Sequence, residues 1–127
     1  MSPREILEKW MGALRRGDID GVVGMYADHG ILLPTFSPHR LAGELELRKY
    51  FEQLFARDDL HVALHEESLR VLPMGGTAYT VVGVYSFSFA VDGTVLTFPS
   101  RFTFVFDTAL DAPIIHHHSS QVPRTLS

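Results

Sequence analysis

The sequence has no cysteine, which removes disulfides, thiolate nucleophiles and zinc–cysteine centres together. It has no apolar run long enough for a bilayer span. Its opening residues, MSPREILEKW, are charged and helix-like, so no secretory leader is expected. Charge of one sign is never concentrated. No five like charges follow one another, which leaves out an acidic tail or a basic arm. With 11 Lys and Arg against 15 Asp and Glu, the net charge is -4, without the dense cationic footprint that a nucleic-acid surface needs. Internal repeats, linkers and low-complexity tracts are missing too. What remains is ordinary globular composition: 127 residues, 46% hydrophobic and 20% charged. The expectation is one domain over residues 1–127, large enough to bury a core, placed in the cytoplasm, with neither nucleic acid nor membrane as a partner.

The hydropathy pattern divides the chain in two. Ser2-Pro3-Arg4-Glu5 reads as a capping Ser, a Pro at the first helical position and a Glu three residues after the cap. Ile6, Leu7, Trp10, Met11 and Leu14 follow at helical spacing until Gly17. Asp18 can cap a second helix with the stripe Ile19, Val22, Val23 and Tyr26, weakened by Gly21 and Gly24. Residues 30–43 suit a brief strand and a loop, and a third helix follows Gly43, with Leu47, Tyr50, Phe51, Leu54 and Phe55 on one side.

From residue 60 the period changes to strands. Leu60, Val62 and Leu64 alternate, then Leu69 and Val71 continue on the other parity, which predicts a bulge or bend near Glu66–Ser68. TAYTVVGVYSFSFAV reads as a long strand, Asp92-Gly93 as a hairpin turn and TVLTFPSRFTFVF as the return strand. IIHHHSS is the last strand. Helices first and antiparallel strands after make an α+β domain, with the helices on one face of a curved sheet. Tyr79, Val81, Tyr85, Phe87 and Phe89 share one face of the long strand, yet Val82 and Val84 occupy the other. Helices cover only one side, so the second apolar face calls for a partner subunit. A homodimer or larger homo-oligomer is expected.

This order of elements resembles the nuclear transport factor 2-like cone, also called the SnoaL-like or ketosteroid-isomerase-like fold: three N-terminal helices on a curved, mainly antiparallel sheet of cystatin-like type. The ending is more specific. His116-His117-His118-Ser119-Ser120-Gln121-Val122-Pro123 resembles the HxHxSxxP strand of the association (hub) domain of calcium/calmodulin-dependent protein kinase II. Ser100-Arg101-Phe102-Thr103-Phe104-Val105 resembles the Arg-bearing strand before it, and small bacterial relatives of the SgcJ/EcaC type carry a similar HHHSS run. The resemblance implies a pocket for small carboxylates in which Arg101 matches one of the family's arginines. Ser119 stands where the family has another, and the catalytic acids of ketosteroid isomerase have no counterpart that the sequence reveals.

The three histidines invite three readings: a purification-tag scar, a metal site, or one strand showing imidazoles to both faces. PII before them is core-strand material, which disfavours the tag. His116 and His118 share a face, and His61 and His65 offer a second pair, but a metal needs three or four convergent ligands. The reading favoured here has no metal, with His116 and His118 as hydrogen-bonded groups on the subunit-facing side. His117 and Ser119 point toward the helices, where His117 is either a proton shuttle or a core histidine. Arg101 interrupts an aromatic strand and needs acceptors, either a ligand carboxylate or an internal partner such as Asp28 or Glu52. Trp10 and Tyr26 are pocket wall or plain core. His39, in its Pro-flanked loop, is read as solvated.

Two functions of different class follow. One is a homo-oligomeric protein binding a small anionic or carbonyl-bearing ligand at Arg101, His117, Ser119, Tyr26 and Trp10, without a cofactor. It extends to an isomerase, cyclase or dehydratase if Arg101 and His117 act on that ligand. The other is a non-catalytic association module.

Overall fold

The computed structural model describes residues 1–123 and 125. Its elements run in the order α1 (Pro3–Arg16), α2 (Ile19–Val23), β1 (Tyr26–Leu33), β2 (Leu41–Ala42), α3 (Glu44–Phe55), β3 (Asp58–Leu64), β4 (Arg70–Gly75), β5 (Ala78–Val91), β6 (Thr94–Asp107) and β7 (Ile114–Gln121). A 3-10 turn, Glu66–Ser68, supplies the change of parity between β3 and β4.

Helix α1 begins where the sequence says it should. Ser2 Oγ accepts from Glu5 N at 3.1 Å, and Ser2 N donates to Glu5 Oε1 at 2.9 Å, so two otherwise unpaired backbone donors are satisfied. Gly17 ends the helix in the left-handed region at φ 63°. Its apolar stripe, Ile6, Leu7, Trp10, Met11 and Leu14, is wholly buried.

The second helix is shorter than its stripe suggests. It stops at Val23, and Tyr26, expected on its apolar face, instead opens β1. Glycines at 21 and 24 give little helical drive, whereas pairing Tyr26 with Ile114 satisfies the backbone in the sheet.

The sheet order is β2-β1-β7-β6-β5-β3, with β4 on the same edge of β5 as β3. Only β1 and β7 run parallel among the described strands. Strands β5 and β6 pair along 14 residues each, through an Asp92-Gly93 turn with both residues at positive φ. All three α-helices contribute to one buried cluster with the inward-facing residues of the sheet, including Val81, Tyr85, Phe102, Phe104 and Phe106. This is an α+β fold with helices on one side of an open, curved sheet. No described helix is long and apolar enough to cross a membrane.

Candidate functional site

The inward side of the cone holds a continuous row of polar side chains drawn from five elements and one loop. Trp10 comes from α1, Tyr26 from β1, His117 and Ser119 from β7, Tyr85 from β5 and Ser100 from β6. Thr35 reaches in from the loop after β1. Strand alternation dictates the β7 pair: His117 and Ser119 are buried, whereas His118 between them is exposed.

Their hydrogen bonds fit one head-to-tail order. Trp10 Nε1–H donates to Tyr26 Oη at 3.2 Å, and the Tyr26 hydroxyl meets His117 Nδ1 at 2.8 Å. On the other side His117 Nε2 meets Tyr85 Oη at 3.0 Å, and the Tyr85 hydroxyl donates to Ser119 Oγ at 2.7 Å. Ser119 contacts the Thr35 hydroxyl, Thr35 donates to Ser100 Oγ at 3.3 Å, and Ser100 reaches the Phe98 carbonyl at 3.4 Å. Because Tyr85 spends its proton on Ser119, the His117 proton must sit on Nε2. Nδ1 then accepts from Tyr26. Every donor has one acceptor, and the row ends on a carbonyl. No buried side-chain polar atom among the described residues lacks a partner.

A second proton on His117 would break this order. It would force Tyr26 to turn its hydroxyl hydrogen away while still accepting from Trp10. Burial pushes the imidazole well below its usual pKa, and His116 and His118 add to the same direction. Burial likewise raises the phenols of Tyr26 and Tyr85. The row is neutral throughout, held by packing: His117 stacks on Phe104 at 3.8 Å between centroids, and Trp10 stacks on Tyr85 at 5.6 Å.

The sign of the pH effect follows. Since His117 titrates lower when folded than when unfolded, its share of stability is present above about pH 6.5 and is lost as the pH falls below it. The expected loss approaches about 1.4 kcal/mol per pH unit until the folded value is reached. Urea titrations at several pH values measure it. A His117→Gln variant, less stable at every pH, should lack that part of the slope; an identical slope in both proteins would contradict it.

The cone itself is nearly filled. Between Trp10, Thr35, Tyr85, His117 and Ser119 about 10 Å³ is open to the centre of a water-sized sphere, roughly room for a single water. Phe36, half-buried in the loop after β1, packs edge-on to Phe87, Phe89 and Phe98 at 5.4 Å, 5.6 Å and 5.4 Å. A larger cleft of about 540 Å³ lies outside, between residues 37–41 and α3, with Tyr50 shared by both spaces.

Trp10, Tyr26, His117 and Ser119 thus meet as one cluster. Arg101 does not join them. It was expected to face inward, on a ligand carboxylate or an internal partner, but β6 alternates with Ser100 and Phe102 inward, so Arg101 stands exposed on the opposite face. There it lies across from Val84 and Ser120, and no ion pair among the described residues includes it, so Asp28 and Glu52 are not its partners. A guanidinium there keeps its hydration instead of being buried among aromatics. His116 and His118 share that outer face, opposite Val105 and Thr103. His65 bonds Ser86 at 2.8 Å, and His61 is exposed on β3. Three members of the row escaped the sequence reading. Ser100 and Tyr85 were findable, as hydroxyls on the buried parity of aromatic strands; Thr35, in an irregular loop, carries no such signal.

Comparison with known proteins agrees with this architecture. A protein from Xanthomonas campestris assigned as a calcium/calmodulin dependent protein kinase II association domain superposes with a TM-score of 0.85 at 28% identity, covering 96% of this chain and 86% of that one. A ketosteroid isomerase-like protein from Erwinia carotovora atroseptica gives 0.74 at 16% identity, over 95% and 94%. An NTF2-like protein with a cystatin-like fold from Novosphingobium aromaticivorans gives 0.77 at 14%, over 97% and 81%. These last two establish the fold alone. Among curated proteins none matches the sequence. The family model for the calcium/calmodulin dependent protein kinase II association domain matches residues 4–123, and the chain belongs to that family.

Proposed function

We propose that this protein is a homo-oligomeric association domain, which joins copies of itself through the outer face of β1, β7, β6 and β5. The observation that carries this reading is the one-sidedness of the sheet. The helices pack on the inner face, while Ile31, Leu33, Val82, Val84 and Val105 stand half-buried on the outer face with no helix over them. Covering such a face with a second copy removes apolar area from water at about 25 cal/mol per Å². The cone, in this reading, is a closed hydrogen-bonded core.

A charge placed on this face tests it. Val84→Asp is expected to reduce the particle mass in light scattering to that of one chain, with the circular dichroism of the wild type. An unchanged mass, or a wild type that is already a single chain, would overturn the proposal.

A second reading, a small-molecule site in the cone, is favoured by one specific observation. Thr35, Tyr50 and Ser119 each line both the inner cavity and a surface cleft, so moving the Phe36 loop would join the two spaces. No carboxylate, ammonium or guanidinium lines that inner cavity among the described residues, so its ligand would be neutral, with a hydroxyl or carbonyl for Ser119 and Tyr85. A thermal shift by small phenols but not by small carboxylates would support this reading, and no shift by either class would remove it.

A further inference from the structure

The outer face has a charge pattern that the helical side does not share. Register places His116, His118, Arg101, His61 and Arg70 on it, opposite Val105, Thr103, Ser120, Ser88 and Val82 respectively. The chain as a whole is acidic, at -4, yet few carboxylates border this row. Asp107 lies at the end of β6, Asp58 at the far corner of β3, and Asp28 beside His29 in the irregular segment of β1. The immediate neighbours of the two β7 histidines are Val105 and Thr103 on one side and Ile31 and Leu33 on the other. None of these titrates, and none can offset an imidazolium.

We propose that the row formed by His116 and His118 lies in the seam between two copies of this chain, so that the copies stay joined only while both histidines are neutral. This rests on the association reading above and adds its control by protons. A two-fold contact presents one face to itself, so each copy brings its own histidines and Arg101 toward the same groups of the other. Protonation charges both sides of a contact from which water has been driven, with no carboxylate in register beside the histidines within either copy. His116 is already held below its usual value by partial burial and by His118 within a single chain. Burial in the seam acts in the same direction. Association is therefore at full strength above about pH 6.5 and weakens as the pH falls below it toward the lowered value of His116. With two histidines on each copy, Kd is expected to rise at least about tenfold per pH unit below about pH 6.

The experiment is sedimentation of the full chain from about pH 8 to about pH 5 at fixed ionic strength, with circular dichroism alongside. The wild type should be an oligomer at the upper pH and dissociate at the lower one with its secondary structure intact. A variant carrying His116→Asn and His118→Asn should stay associated throughout. A wild type whose mass is the same at both ends of the range overturns the proton control and leaves the association reading standing. A wild type that is a single chain even at the upper pH overturns both. Where the double variant is poorly folded, His118→Asn alone, at an exposed site, carries the comparison. Variants that dissociate along the wild-type curve would also refute the role given to this row.

Discussion

Replacing His117 by alanine is expected to lower folding stability by about 4 kcal/mol, among the largest effects of any single substitution in this chain. Two losses combine. The imidazole is buried and stacked on Phe104, with Trp10 edge-on at 5.2 Å, so its removal leaves a cavity among aromatic rings. It also strands the hydroxyl hydrogen of Tyr26 and one acceptor site on Tyr85, each in a buried setting. Urea unfolding followed by the fluorescence of Trp10 measures the loss. Because the second part comes from stranded hydroxyls, adding Tyr26→Phe and Tyr85→Phe should cost less than the sum of the separate effects. A single-variant loss under about 1 kcal/mol, or strict additivity, would contradict the continuous hydrogen-bonded row.

Trp10→Ala is expected to cost a similar amount, about 4 kcal/mol, and Trp10→Phe about half of that. The indole touches three rings, Tyr85, Phe104 and His117, and its N–H supplies the first link of the row. If Trp10 instead formed one wall of an open pocket, half its surface would face empty space and the loss would be modest. Urea unfolding read by circular dichroism separates these outcomes. A loss below about 1 kcal/mol for the alanine variant would show that the cone is not packed as a core.

Several parts of the site could be read directly from the sequence. The alternation of buried and exposed residues along IIHHHSS is a local rule of extended backbone, so the split of His117 and Ser119 from His116 and His118 needed no tertiary knowledge. The cap at Ser2, the stop at Gly17 and the hairpin at Asp92-Gly93 are local in the same sense. Arg101 shows where such reading misleads. Its parity was available, since Ser100 and Phe102 flank it, but the resemblance to a family with pocket arginines drew it inward. Tyr26 failed for another reason: an apolar stripe continues past the last residue with enough helical propensity to use it.

The sequence determined most of the elements and the pattern of faces, because each depends on neighbours within a few residues. Only the tertiary structure decided that Trp10, Tyr26, Tyr85, Thr35 and Ser100 close ranks around His117 and leave almost no space. These residues lie on different elements, and whether inward side chains enclose a pocket or fill it depends on how tightly helix, loop and sheet approach one another. That distance is set by packing across the whole core, through volumes that no short stretch of chain encodes.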